Sequence, residues 1–118
     1  MATKKRVFWV TSEWFAMIDR GRRLEARLGY YTVRLVRQGE VVTLRCDDNT
    51  RDVKIVAVRQ YSNITAMLDT EDPAKLAPGM SREQIEDGLR AMQCTDGSIH
   101  THGCLIIWEF EPATEGGI

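Results

Sequence analysis

The sequence lacks a hydrophobic run long enough to span a bilayer. No apolar stretch exceeds five residues, whereas a transmembrane helix needs about 20. The basic residues of Met1 to Arg6 are followed by an apolar stretch from Val7 to Val10, which is too short for a signal peptide. The sequence therefore predicts a protein of the cytoplasm that has no membrane partner.

Cysteine is also scarce. The chain has 3 cysteines, Cys46, Cys94 and Cys104, and an odd count without an export signal favours reduced thiols over a disulfide framework. With 118 residues, of which 43% are hydrophobic, the chain is long enough to bury one core. We therefore predict a single domain over residues 1–118, with short tails at residues 1–5 and 113–118.

An overall excess of basic charge is missing as well. The formal net charge is -1, whereas proteins that grip duplex DNA usually carry a strong positive excess. The charge is nevertheless uneven, because residues 1–61 carry 13 Lys/Arg against 7 Asp/Glu and residues 62–118 carry 3 against 10. The net charge therefore does not indicate a general grip on duplex DNA, and the uneven distribution leaves a local site for an anion open.

The hydrophobic patterning predicts more strand than helix. Three short helices are indicated: one that starts at Thr11 or Ser12 and stops at Gly21, one over Ile64–Leu68, and one that opens on a capping box at Ser81. Residues 95–103 are predicted to be a polar loop. The predicted strands, with a hairpin turn at residues 47–50, are Val7–Val10, Arg23–Leu28, Val41–Arg45, Asp52–Arg59 and a central Cys104–Glu111.

Arginines concentrate in one predicted strand. If residues 23–28 are extended, Leu24, Ala26 and Leu28 lie on one face, and a row of Arg23, Glu25 and Arg27 lies on the other. Such a row is either an ordinary solvated face with weak ion pairs, or one wall of a cleft in which guanidinium groups hold phosphate or carboxylate oxygens.

Four residues with nitrogen or sulfur ligands lie close together near the end of the chain, Cys94, His100, His102 and Cys104. Their spacing matches no common structural zinc pattern, and the apolar residues after Cys104 place it in a core strand. A cysteine nucleophile with a histidine base is an alternative whose geometry the sequence does not define. We therefore predict no metal and no cofactor.

The order of these elements resembles the ASCH domain family of the PUA-like superfamily, over Val7 to Pro112. The resemblance implies a mainly β fold with flanking helices (α+β), a mixed and mostly antiparallel small β-barrel. It also implies a cleft for RNA, nucleotides or modified nucleosides. The residues that carry it are Ile18, Gly21 to Arg27, Gly39-Glu40, Val58 to Ser62, Met67-Leu68, Leu76 to Gly79 and Gly103 to Ile107.

Aligned on Glu25 and Arg27, the lysine of the family motif falls on Arg22. Some ASCH proteins are N4-acetylcytidine amidohydrolases that use this lysine, and others are described as ribonucleases. Arginine stays protonated, so Arg22 cannot accept a proton. Glu25 is the candidate catalytic residue, but neighbouring arginines would lower its pKa and its basicity. Binding is therefore the first choice and hydrolysis the alternative, with His100 and His102 as the candidate acid/base pair of a ribonuclease.

The protein is predicted to be a monomer. Its predicted ligand site is a cleft between two walls, an arginine wall and an opposing wall. A tyrosine such as Tyr30, Tyr31 or Tyr61 is expected to stack on a base, and the aromatic side chains Trp9 and Trp14 are assigned to the core. A further alternative is a protein-interaction module that uses the acidic half. The arginine wall comprises Arg22, Arg23, Glu25 and Arg27, and the opposing wall comprises Tyr61, Ser62 and Asn63.

Overall fold

The structure is a computed structural model that describes residues 5–113. It has α+β architecture, with one curled five-stranded sheet that forms a half-barrel with helices beside it. The strands are β1 (Val7–Trp9), β2 (Leu24–Leu28), β3 (Val41–Cys46), β4 (Asn49–Tyr61) and β5 (Leu105–Pro112). The helices are α1 (Ser12–Ile18), α2 (Tyr31–Arg34), α3 (Ile64–Thr70), α4 (Pro73–Leu76), α5 (Arg82–Ala91) and α6 (Asp96–His102).

The sheet is mixed and mostly antiparallel, as predicted. Its strand order is β1-β3-β4-β5-β2. Strand β1 pairs with β3 in parallel, and the other three neighbouring pairs are antiparallel. Strands β1 and β2 are therefore the two edges of the half-barrel, although they are close together in sequence.

Two hydrophobic cores lie on opposite faces of the sheet. Ile106, Trp108 and Phe110 of β5 pack into the first core, inside the curl. Leu105 and Ile107 pack into the second core, under helices α1 and α3 to α6. Because β5 is buried on both faces and paired on both edges, its prediction as a central strand is confirmed.

Strand β1 differs from the predicted buried strand. Phe8 is buried, but Val7 is 48% exposed and Trp9 is 60% exposed. The reason is that β1 is an edge strand with one face inside the curl and one face outside. A short apolar sequence cannot distinguish this position from a buried one.

The hairpin forms with a shorter turn than predicted, and β4 is longer. Asp47 and Asp48 make the turn, with Asp47 at a φ of 53°. A β-bulge lies between Ile55 and Ala57, and the extra residue turns Ala57 away from the face that Val53 and Ile55 share. A strand that alternated without interruption would place Ala57 on that face.

The described part of the chain contains six helices, where three were predicted. Residues 95–103 are not a loop: α6 starts at the side-chain cap of Thr95 and ends at Gly103, whose φ is 90°. Only Ile99 of this helix is buried, so the sequence shows no helical hydrophobic period. Helices α2 and α4 have four residues each and are equally difficult to detect. Within residues 5–113, no helix is long and apolar enough to cross a membrane.

The three predicted helices are present, with changes at their ends. The capping box of Ser81 and Gln84 forms as predicted, but Met92 lies at the end of α5 and is partly exposed. Thr11 occupies the cap position of α1 without a capping side-chain bond. Helix α3 is capped by the amide oxygen of Asn63, which accepts from the backbone N–H of Ala66 at 2.7 Å, and not by a hydroxyl.

Replacing the cap of α3 should therefore destabilise the protein. Asn63→Ala should lower the free energy of unfolding by about 1 kcal/mol, the usual cost of losing an N-cap. Ser62→Ala is the matched control, because Ser62 is exposed and should change the stability by less than about 0.5 kcal/mol. Urea denaturation of both variants measures the difference. A larger loss for Ser62→Ala would contradict the cap assignment.

Candidate functional site

Strand β2 positions the polar residues of the site. Leu24, Ala26 and Leu28 contact the second core, so the predicted alternation of this strand is confirmed. Glu25 lies opposite Trp108 of β5, on the face toward the first core. The turn after α1 includes Gly21 at a φ of 106°, which brings Arg22 back beside the strand.

Three charged side chains form one network, the Arg22–Glu25–Arg27 triad. Arg22 Nη2 donates to Glu25 Oε1, and Arg27 Nε donates to Glu25 Oε2 at 2.6 Å. Arg27 Nη2 also donates to the backbone carbonyl of Trp9 at 2.6 Å. The triad therefore joins β2 to β1, the two edges of the half-barrel.

Glu25 is ionised in this network. It is 4% exposed, and burial raises the pKa of its carboxyl, but the guanidinium groups of Arg22 and Arg27 outweigh burial and lower the pKa below its ordinary value. A carboxylate with a lowered pKa and two cationic partners is a weak base. Its geometry fits an orienting role for the arginines better than proton abstraction.

Arg22 has hydrogen-bonding capacity that the protein leaves unused. Its residue exposure is 2%, and its guanidinium lies over the ring of Trp14, 5.4 Å from the ring centroid. Nε and Nη1 have no hydrogen-bond partner within the described residues. Leaving such buried donors unsatisfied usually costs about 1 to 3 kcal/mol each, so a ligand acceptor at this position would recover free energy.

The triad forms one side of a cleft of about 410 Å³. Two exposed aromatic side chains, Trp9 and Tyr30, stand at its rim. The cleft is therefore polar on the β2 side and apolar elsewhere. The other residues that line it are Val10, Thr11, Trp14, Ala26, Leu28, Leu76, Leu89, Ala91, Met92 and Cys94.

The structure brings together three residues of the predicted arginine wall and turns the fourth away. Arg22, Glu25 and Arg27 line the cleft. Arg23 lies outside it, because its Nη1 donates to the carbonyls of Ile18 at 3.0 Å and Arg22 at 2.7 Å. Arg23 thus stabilises the turn that presents Arg22.

The predicted opposing wall of Tyr61, Ser62 and Asn63 does not line this cleft. The hydroxyl of Tyr61 donates to Glu71, while Asn63 caps α3. These residues lie away from the triad because β5 stands between β4 and β2 in the sheet, and local sequence does not reveal this strand order.

Glu71 provides a second buried carboxylate for comparison. Arg59 Nε and Nη2 donate to it at 2.6 and 2.7 Å, and Arg59 Nη1 pairs with Glu109 at 3.0 Å. Burial raises the pKa of Glu71, but Arg59 and Tyr61 lower it overall. All three guanidinium nitrogens of Arg59 are satisfied, whereas Nε and Nη1 of Arg22 have no partner within the described residues, so the Arg59 network is structural.

The aromatic and apolar residues of the cleft were largely missed. The prediction that Trp14 lies in the core is confirmed, although Trp14 also lines the cleft, whereas Trp9 is exposed at the rim. Tyr30 was one of three tyrosines considered for stacking. A helical apolar period indicates which face is covered but not whether a ligand or another side chain covers it.

The cysteines and histidines are spread over different surroundings. Cys94 lines the cleft, and burial together with Asp96 raises the pKa of its thiol to about 11, which disfavours a nucleophilic role. Cys104 packs in the first core. The ring of His102 lies 4.2 Å from that of Tyr30. Among residues 5–113, no group of three or more His, Cys, Asp or Glu side chains could hold a metal ion.

The fold and the cleft define a small α+β half-barrel protein with an arginine-lined site. No protein-family model matches the chain, and no curated protein has significant sequence similarity to it. The crystal structure of hypothetical protein PH0355 is similar, with a TM-score of 0.76 and 24% identity over 93% of this chain and 100% of that one. The solution NMR structure of PF0455 from Pyrococcus furiosus has a TM-score of 0.71 and 22% identity over 95% and 100%. These similarities establish the fold alone.

The contribution of the triad to the free energy of unfolding of the protein should depend on pH. Glu25→Gln should lower the free energy of unfolding at neutral pH by about 3 kcal/mol, because it leaves buried Arg22 without a counter-charge. The folded pKa of Glu25 lies below its ordinary value of 4.5, so the contribution of the carboxylate is present above that value and is lost as the pH falls toward the folded pKa. The melting temperatures of the unmodified protein and of Glu25→Gln should therefore approach each other as the pH is lowered from 7 to about 3.5. A difference that stays constant over this range would contradict the prediction.

Proposed function

We propose that the cleft binds a nucleotide or nucleoside, either free or as one unit of a single-stranded RNA. The observation that carries this proposal is Arg22, a buried guanidinium two of whose nitrogens have no partner in the described part of the chain, at the side of a cleft that has aromatic residues at its rim. Such a combination of donors and ring surface suits a ligand with a planar base and polar acceptors.

The dimensions of the cleft support a ligand of this size. A volume of about 410 Å³ lies within the usual range for small-molecule sites. The ring of Trp9 is exposed and has the guanidinium of Arg45 over one face, 4.9 Å from the ring centroid, so its other face offers a stacking surface. The ring of Tyr30, which lies against His102, offers a second. The apolar side chains from α5 and its C-terminal end, Leu89 and Met92, form a wall that excludes water from the base.

The charge of the site supports an anionic ligand. Two arginines and one glutamate give the triad a net charge of +1, and the side chain of Arg27 is 21% exposed, so it is within reach of a phosphate. The resemblance to ASCH domains implies the same ligand class. We infer that the protein acts as a monomer in the cytoplasm.

Catalysis is the alternative within the same class of ligands. Arg22 stays protonated, and both oxygens of Glu25 accept from guanidinium groups that lower its pKa and therefore its basicity, so the triad lacks an effective general base for hydrolysis of an amide. Nothing in the cleft favours the protein-interaction alternative over a small ligand.

Removing the stacking surface should weaken binding without unfolding the protein. Trp9→Ala should reduce the affinity for nucleotides by about 1 to 3 kcal/mol, as expected for a base–aromatic contact. The loss in stability should be small because the side chain is largely exposed. Calorimetric titration with a set of nucleotides and short RNAs measures the affinity.

The matched control is Tyr31→Ala. Tyr31 is 76% exposed and lies next to Tyr30, but it is not part of the cleft lining, so its removal should leave the affinity unchanged. Equal effects of the two alanine variants, or no nucleotide binding by the unmodified protein, would overturn the proposed function.

The alternative activity is tested directly. We expect no hydrolysis of N4-acetylcytidine, because the position of the family lysine is occupied by Arg22, which cannot lose its proton. Chromatography of the nucleoside after incubation with the protein measures any cytidine released. Release by the unmodified protein that is absent in Glu25→Gln would show that the cleft is an active site.

A further inference from the structure

We infer that the Arg22 end of the cleft reads a carbonyl edge of the ligand's base, so that a 6-oxopurine is bound in preference to a 6-aminopurine. This inference rests on the proposed binding of nucleotides in the cleft and adds the orientation of the ligand. It places the base innermost, against Arg22, and the phosphate at the rim, near Arg27.

The first argument is that the inner end of the triad offers donors. Arg22 Nε and Nη1 are buried N–H donors that have no partner among residues 5–113, whereas each oxygen of Glu25 already accepts from a guanidinium. A ligand group placed against Arg22 must therefore accept hydrogen bonds. Guanine and hypoxanthine present adjacent acceptors at O6 and N7, whereas adenine presents a donor at N6 beside N7.

The second argument concerns charge. Arg22 and Glu25 are both buried and form a neutral pair, so a phosphate dianion at the inner end would be desolvated without a full counter-charge. A neutral carbonyl avoids this cost. The side chain of Arg27 is 21% exposed, compared with 2% for Arg22, so Arg27 is the better position for a phosphate that remains partly hydrated.

The contrast between the two arginine networks supports a ligand role for Arg22. The three nitrogens of Arg59, a third of whose side chain is exposed, all contact carboxylates, as expected of a purely structural pair. Arg22 is more buried than Arg59, and two of its nitrogens have no partner among residues 5–113. Trp108 Nε1 also has no partner among these residues, but Trp108 does not line the cleft, whereas Arg22 does.

Calorimetric titration with inosine monophosphate and adenosine monophosphate tests the inference, because these ligands differ only at position 6 and the adjacent ring nitrogen. The inosine nucleotide should bind about tenfold more tightly or better, as for other sites that discriminate by arginine donors. Inosine, which lacks the phosphate, should bind more weakly than its nucleotide but should retain the preference over adenosine.

Two sets of variants distinguish the contact of Arg22 with the base from the contact of Arg27 with the phosphate. Arg22→Gln combined with Glu25→Gln removes both buried charges together and should abolish the preference for the oxopurine, since an amide can turn to donate or accept. Arg27→Gln should instead reduce the increase in affinity from nucleoside to nucleotide that the phosphate provides. It should leave the preference for the oxopurine over the aminopurine unchanged. Arg20→Gln is the control for loss of charge, because Arg20 is exposed and lies outside the cleft lining. If the double variant does not fold, the affinities of the unmodified protein and of Arg27→Gln for the two nucleotides still show whether the cleft prefers the 6-oxopurine.

Equal affinities for the two nucleotides, or tighter binding of the adenosine nucleotide, would overturn the inference while leaving the proposed function intact. A phosphate gain that disappears in the double variant and persists in Arg27→Gln would place the phosphate at Arg22 and would also overturn it. Absence of binding by both purine nucleotides overturns the inference, and if pyrimidine nucleotides and short RNAs also fail to bind, the proposed function falls with it.

Discussion

The burial of Glu25 is the constraint on which the site depends. A carboxylate removed from water is costly unless it is paired and hydrogen-bonded, and here Arg22 and Arg27 each occupy one of its oxygens. The same contacts hold Arg22 beside β2 and tie Arg27 to the carbonyl of Trp9. One ionised side chain therefore positions both arginines and links the two edges of the sheet.

The cleft exists because the barrel is not closed. Strands β1 and β2 are edges of one curled sheet, and their gap is bridged by a side chain in place of backbone hydrogen bonds. The triad lines the gap on the β2 side, and residues of α1, α4 and α5 line it on the other. The result is an amphipathic site in which charge and ring surface face the same space.

Within residues 5–113, two buried carboxylates, Glu25 and Glu71, are neutralised by arginine, and the two networks differ in how many donors they leave unused. In the Glu71 network every guanidinium nitrogen of Arg59 has a partner, so the interaction is satisfied within the chain. In the triad, two nitrogens of Arg22 have no partner within residues 5–113. Burial and lowered carboxyl pKa values are common to both networks, so the unused donors beside the cleft are what separate the triad from the Glu71 network.

Local patterns determined much of the fold and half of the site. The capping box of α5, the hairpin, the central β5 and the alternation in β2 all follow from residue spacing, because caps, turns and strand periods are set by neighbours in sequence. That alternation also identified Glu25 and Arg27 as neighbours on one face.

The tertiary structure decided what covers each face. It turned Arg23 toward the backbone of the preceding turn, directed Tyr61 to Glu71 and placed Trp9 at the rim of the cleft. None of these follows from period or propensity, since a strand period specifies the side to which a residue points but not the partner it meets there. Strand order brings β1 and β2 to opposite edges of a curled sheet, and only that arrangement brings Trp9 and Arg27 together.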